Sequence, residues 1–254
     1  MPDVPEDLAA YYPSDYHHVA PTLHELAMAA ERERYKIEIV QATVASGRLL
    51  DVGASWGEFA YLAALSGFAV TAIEMDPVCC EYLREVVGVE VTESSNFHAA
   101  ISEAQPFRVV TMWHVIEHLR DPWSALQAVA AKLDVGGMLV VATPNPRALQ
   151  FRLLRSRWTH IDAPRHTALI PWTLLVDRLE TMGLSLENVT STDPGSLAYD
   201  SFGWSMSLAN LSRSGWSRWC LRQLGRAAAR ALRPIERLPL RGSCYTAVFR
   251  RVSQ

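Results

Sequence analysis

The stretch Leu49-Leu50-Asp51-Val52-Gly53-Ala54-Ser55-Trp56-Gly57 constrains this chain more than any other. Residues 48–52 read as a short buried strand with Asp51 at its carboxyl end, and Gly53 and Gly57 bracket a tight turn. From Glu58 onward Phe59, Leu62, Ala63 and Leu65 fall at helical spacing, so the unit is strand, glycine turn, helix. Glycine suits the turn because a side chain would hold a bound ligand away from the backbone amides. A second apolar strand, 69–73, ends in Glu74 about twenty residues beyond the turn. Nucleotide-binding α/β folds place there the acid that accepts hydrogen bonds from ribose hydroxyls. A dinucleotide site would read Gly-x-Gly-x-x-Gly around a pyrophosphate. This chain reads Asp-x-Gly-x-x-x-Gly, with Ser55 where the middle glycine often stands. The reading is an adenosine-type ligand, and a nicotinamide oxidoreductase is disfavoured.

In this combination residues 46–190 resemble the class I S-adenosylmethionine-dependent methyltransferases. Glu74-Met75-Asp76-Pro77 is similar to the family's ribose-binding segment. Residues 107–119, FRVVTMWHVIEHL, with Asp121-Pro122, resemble its fourth strand and following turn, and residues 136–145, GGMLVVATPN, its fifth strand. The resemblance implies an α/β, Rossmann-like, seven-stranded and mostly parallel sheet with helices on both faces. The last strand would run antiparallel beside the fifth. It implies S-adenosyl-L-methionine as cofactor, approached by the backbone of Gly53, Ala54 and Gly57. Glu74 would take both ribose hydroxyls and Met75 would pack on the adenine. Asp51 would orient the turn or reach the methionine amino group through water. Trp113 and His114, leaving the fourth strand, complete the cofactor set. Phe59 reads as core, and Asp76 also reads as a helix N-cap with Pro77 in the first helical position.

The expected strands are 48–52, 69–74, 89–92, 109–113, 138–143, 186–191 and 244–250. Asp121-Pro122 starts a helix, and Asp134-Val135-Gly136-Gly137 ends it. Three segments complete the core of 46–199 and 243–254. The first, 1–45, is an N-terminal helical cap over the cofactor site, helical from about Thr22. The second, 144–171, is long enough to be a lid. The third, 200–242, is a basic helical insertion before the last strand. From Ser205 to Gly242 there are eight arginines against the single acid Glu236, giving +7 in a chain of net charge −3, so the remainder carries −10. The vicinal Cys79-Cys80 pair is poor disulfide geometry, and no apolar run approaches a membrane span. Both fit a soluble cytoplasmic protein.

His114, Glu117 and His118 form the densest chemical group, on one face if their turn is helical. The segment resembles the ubiquinone-biosynthesis O-methyltransferases and the small-RNA 2′-O-methyltransferases, which read Glu-x-x-Glu-His here and hold a divalent metal with it. In this chain His114 replaces the first Glu. The metal-free arrangement is preferred: His114 touches the cofactor through its backbone, Glu117 faces solvent and His118 does the chemistry. If a metal is present, His114, Glu117 and His118 hold it, favouring zinc or a transition metal over magnesium. The lid resembles a Trp…Asp-x-Pro-x-His segment of one branch of these enzymes. Its His160 and His166 each read as a base, a more distant metal ligand or a loop histidine pinned by a carbonyl. His118 and His166 are the catalytic candidates, and Tyr16, Trp158, His160 and Arg165 the acceptor-binding ones. Pro144-Asn145-Pro146 follows the fifth strand, and no Asn-Pro-Pro-aromatic motif follows the fourth, which argues against adenine or glutamine N-methylation.

The reading is O-methylation of a small-molecule, sugar or lipid-linked acceptor by in-line displacement with a histidine base. The alternatives are an RNA 2′-O- or metal-dependent methyltransferase and a non-catalytic S-adenosylmethionine-binding scaffold. Arg218, Arg222, Arg226 and Arg230, four residues apart, suggest peripheral contact between 205–242 and a membrane or an anionic acceptor. Nucleic acid is disfavoured, because aromatic interleaving is missing.

Overall fold

A computed structural model describes residues 22–252; Tyr16, an expected acceptor contact, lies outside them. One sheet contains β1 (Gly47–Val52), β2 (Phe68–Glu74), β3 (Glu90–Glu93), β4 (Phe107–Trp113), β5 (Leu133–Pro144), β6 (Leu184–Thr190) and β7 (Cys244–Arg251). Their order is β3-β2-β1-β4-β5-β7-β6. β1 to β5 pair in parallel, whereas β7 runs antiparallel to both β5 and β6. The seven expected strands are all present.

The strand order reverses between β1 and β4, and a crevice at such a reversal is where open α/β sheets bind ligands. Register aligns the exits: Val52 lies opposite Ile73 on one side and Met112 on the other. Gly53, Glu74 and Trp113 therefore emerge at one edge. Alternation along the strands fills both faces of the sheet. Leu50, Val52, Val110, Met112, Leu139 and Val141 pack into one core cluster, and Leu49, Ala72, Val109 and Val140 into the other.

The helices that bear on the site begin with α1 (Leu23–Glu31), capped by the Thr22 side chain, and α2 (Arg34–Gln41). α3 (Glu58–Leu65) follows the glycine turn, and Phe59 is core as expected. α4 (Pro77–Tyr82) has Asp76 as N-cap and Pro77 in its first turn, and continues as a π turn. α5 (Phe97–Glu103) precedes β4, and α6 (Pro122–Lys132) starts at the Asp121 cap.

Asp134 to Gly137 do more than end α6. They lie within β5, where register slips between Phe107–Leu133 and Val109–Met138, and a Cβ on Gly137 would sit 2.7 Å from Asp134 O. The lid is no open loop: α7 (Leu149–Leu154) and two short 3-10 turns lead to α8 (Trp172–Glu180). The insertion begins earlier than residue 200, with α9 (Pro194–Ala209) followed by α10 (Gly215–Glu236). A Cβ on Gly225 would lie 2.5 Å from Ser205 Cα and Trp204 O, so α10 packs on the α9 backbone. Among the described residues no helix is long and apolar enough to cross a membrane.

Candidate active site

Gly53 and Gly57 adopt φ of 69° and 88°, left-handed values that favour glycine. Their small size also serves packing: a Cβ at Gly53 would meet Val115 Cγ2 at 2.6 Å, and one at Gly57 would meet Leu83 Cδ2 at 2.6 Å. The amides of Gly53 and Ala54 both donate to Ile73 O, at 2.8 and 3.4 Å, and that of Gly57 donates to Ala54 O at 3.0 Å. These three amides thus serve the fold.

Glu74 is buried at the carboxyl end of β2. Its Oε1 accepts from the amides of Met75 (2.7 Å) and Asp76 (3.0 Å), and its Oε2 from that of Ser55 (2.8 Å). A carboxylate has about four lone-pair sites, so one hydroxyl fits directly and a second requires release of an Oε1 amide. Beside it, Asp51 is buried and accepts from Thr111 Oγ1 at 2.8 Å; burial pushes its pKa up to about 7. Trp113 lies edge-on to Phe59 and Tyr35, with Lys36 Nζ 5.1 Å from its ring. Its Nε1 is buried with no acceptor among the described residues, a donor that a bound carboxylate or hydroxyl would satisfy. Met75 is exposed at the rim. An acid at the end of β2, a tight turn and an unpaired donor fit S-adenosylmethionine.

After β4 the chain turns sharply at His114, φ 56°, into a 3-10 turn, Ile116–His118. Two sequence expectations fail here. Glu117 does not face solvent: it is 1% exposed, accepting from Thr143 Oγ1 at 2.9 Å and lying 3.3 Å from His114 Nδ1. Burial pushes its pKa up, but His114, His118 and His166 outweigh that and hold it below the ordinary value. Nor do His114, Glu117 and His118 form the tightest ligand set. The atoms of Glu117, His118 and His166 that could bind a metal lie within 4.8 Å of one another, with the lid supplying His166 in place of His114. Two imidazoles and a carboxylate suit zinc or another transition metal. His114 instead stacks on Tyr199 of α9, 4.3 Å between centroids.

His118 Nδ1 lies 3.2 Å from Arg165 O, and His166 Nδ1 2.8 Å from His160 O. A carbonyl only accepts, so in each neutral ring the hydrogen sits on Nδ1 and the lone pair on Nε2. Burial lowers the His118 pKa, which favours the neutral ring. Thr167 ties the lid down by donating from its amide to Glu117 O at 2.7 Å.

Trp158 and His160 of the lid are more deeply buried than their expected roles require. Trp158 is 1% exposed; its Nε1 donates to Gln150 Oε1 and its ring packs against Phe151 and His160. It offers no face to an acceptor, and packing replaces the stacking role. His160 is buried too, and burial pushes its pKa down to about 4, so it is a poor base. Arg165 pairs with Asp162 at 2.7 Å. Tyr199 of α9, against His114, and Tyr35 of α2, against Trp113, were not foreseen as neighbours of the site; their helices lie outside the strand-turn motifs.

A methyltransferase domain model matches residues 23–189. The chain belongs to the methyltransferase domain family. It is 31% identical over 134 residues to a ubiquinone biosynthesis O-methyltransferase of Pseudomonas putida, covering 50% of this chain and 58% of that protein. Against the protein of that name from Xanthomonas axonopodis it is 30% identical over 168 residues, covering 61% and 70%. The chain thus spans little more than half the length of several curated relatives it matches. A SAM-dependent methyltransferase of Archaeoglobus fulgidus shares the fold, with a TM-score of 0.57 at 17% identity, covering 87% and 92%. The matched segment stops before α9, so the chain carries its basic insertion outside the segment matched to the family.

Proposed function

We propose that this methyltransferase methylates an oxygen of a small, sugar or lipid-linked acceptor, with His118 and His166 handling the proton. The supporting observation is the pair of Nδ1–carbonyl contacts, which set each neutral ring as the tautomer whose basic nitrogen is Nε2. S-adenosylmethionine, when bound, supplies a methyl already activated on a sulfonium. Glu74, Met75, Trp113 and the Gly53–Gly57 turn would hold it, with Asp51 orienting the turn. The chain's remaining work is to align the acceptor oxygen and accept its proton. Alignment contributes up to about 7–11 kcal/mol for ideally placed groups. An ordinary imidazole near ~6.5 facing a phenol near ~10 leaves a deficit of roughly 5 kcal/mol, which the lowered His118 pKa widens and which transfer concerted with bond formation can bridge.

A sugar hydroxyl is a weaker acid, and for it the Glu117, His118 and His166 cluster favours a second reading. These residues would hold a divalent ion that lowers the acceptor's pKa. The eight insertion arginines support an anionic acceptor or an anionic membrane carrying it. Methyl transfer from labelled S-adenosylmethionine to a panel of phenols, sugars and lipid-linked acceptors, with and without strong chelation, tests these readings. Transfer that survives chelation selects the metal-free form. Cofactor binding without transfer to any acceptor would leave the scaffold.

A further inference from the structure

A cavity of about 450 Å³ opens where the lid leaves β5 and the chain returns from α10, lined by Arg147, Arg152, Arg241, Trp172, Pro146 and Leu240 among others. It shares no residue with the Glu117, His118 and His166 cluster. No acidic residue lines it, and none of its arginines forms an ion pair with a carboxylate among the described residues. Arg147 and Arg152 are exposed and Arg241 is half-buried, so the hollow brings three positively charged residues together at the surface.

The backbone carrying these arginines is fixed. Asn145 is fully buried; its Nδ2 donates to Leu240 O (3.1 Å) and Gly242 O (3.0 Å), and its Oδ1 accepts from the Arg147 amide (3.0 Å). The Leu149 amide donates to Arg241 O at 3.0 Å, clipping the lid entrance to the end of the insertion. Leu240 is held at φ 57°, a left-handed conformation unfavourable for a bulky side chain. Strain of this kind persists where the surroundings over-determine it, and it clusters at ligand sites.

We infer that this cavity binds a phosphoryl group. Planar guanidinium forks match phosphate oxygens two at a time, which a lysine point charge does not. Trp172, Pro146 and Leu240 give the hollow an apolar wall, so the ligand carries a ring or chain beside its phosphate. The phosphate belongs to a soluble molecule or to a lipid head group. The inference stands apart from the proposed methyl transfer, because its test reads binding alone.

Titration calorimetry of the full chain with inorganic pyrophosphate at low salt is the test. Saturable binding is expected, weakened at least about tenfold by Arg147→Gln with Arg241→Gln. The Lys double variant should recover part of it, and Arg32→Gln at the end of α1 should leave it unchanged. S-adenosylmethionine affinity, measured in parallel, reports whether each variant is folded. Phosphatidylglycerol vesicles that compete with pyrophosphate, and lose affinity in the cavity variant, identify a lipid source. Vesicles that do neither, beside saturable pyrophosphate binding, identify a soluble one. No saturable binding, or equal binding by wild type and cavity variant, overturns the inference.

Discussion

The imidazoles of His118 and His166 meet edge to face, 4.6 Å between centroids, one from the turn after β4 and the other from the lid. Each has its Nδ1 hydrogen fixed by a backbone carbonyl, so backbone geometry sets the tautomer of both rings.

If His118 takes the acceptor's proton, His118→Ala should lower turnover by about 10²–10⁴ while S-adenosylmethionine affinity holds. Steady-state rates on a working acceptor, with calorimetry of the cofactor, check this. Full turnover in the variant would remove His118 from the chemistry.

Glu74 organises three amides as well as facing the cofactor crevice, so its variants should separate the two roles. Glu74→Ala should weaken S-adenosylmethionine binding by roughly 1.5–3 kcal/mol and lower the melting temperature as well. Glu74→Gln keeps one carbonyl oxygen for those amides and should recover more stability than affinity. Unchanged cofactor affinity in both would place the ribose elsewhere.

How far the sequence foretold the site depends on how local each contact is. The strand positions and the Glu74 exit were legible because buried apolar runs and the glycine turn are local patterns. The Glu117 orientation was not. Offsets of three and four share a face on an α-helix, but His114 takes a left-handed conformation and the chain then enters a 3-10 turn with three residues per turn. Glu117 is thereby turned inward to Thr143, and His118 round to the lid. Trp158 was misread for another reason: its partner Gln150 is itself held by Glu236 across the insertion, a contact that no local pattern announces.

Glu236, the lone acid counted among the insertion's arginines, is buried; its Oε1 accepts from Gln150 Nε2 (2.8 Å) and Trp204 Nε1 (2.9 Å). Burial pushes its pKa up to about 7 from 4.5. A raised carboxyl pKa adds stability below the unfolded value and loses it as pH rises through the folded one. Wild-type melting temperature should therefore fall between pH ~4.5 and ~7 more than that of Glu236→Gln, which retains an acceptor oxygen. Buried Asp51 and Asp200, raised to about 7 and about 6, leave a residual slope in both proteins. Thermal melts at matched ionic strength decide it, and parallel slopes would refute the assignment.

The arginines of α10 face outward. Arg218 and Arg226 reach only Asn210 and Gln223, and no arginine of the helix pairs with a carboxylate among the described residues. Trp216 and Trp219 are 77% and 61% exposed beside them, while Gly225 and Ala229 face α9. Indole rings left in water next to unpaired cations suit the head-group region of an anionic bilayer, where each basic residue contributes about 1 kcal/mol. Replacing Arg218, Arg222, Arg226 and Arg230 by Gln should then weaken vesicle binding by as much as about 4 kcal/mol, close to a thousandfold. Binding by the wild type should also fall steeply with salt, since charges are screened beyond roughly 8 Å at physiological ionic strength. Cosedimentation with phosphatidylglycerol and neutral phosphatidylcholine vesicles across a salt series checks both expectations. A wild-type protein that ignores anionic vesicles even at low salt would reduce the arginine face to ordinary solvated surface.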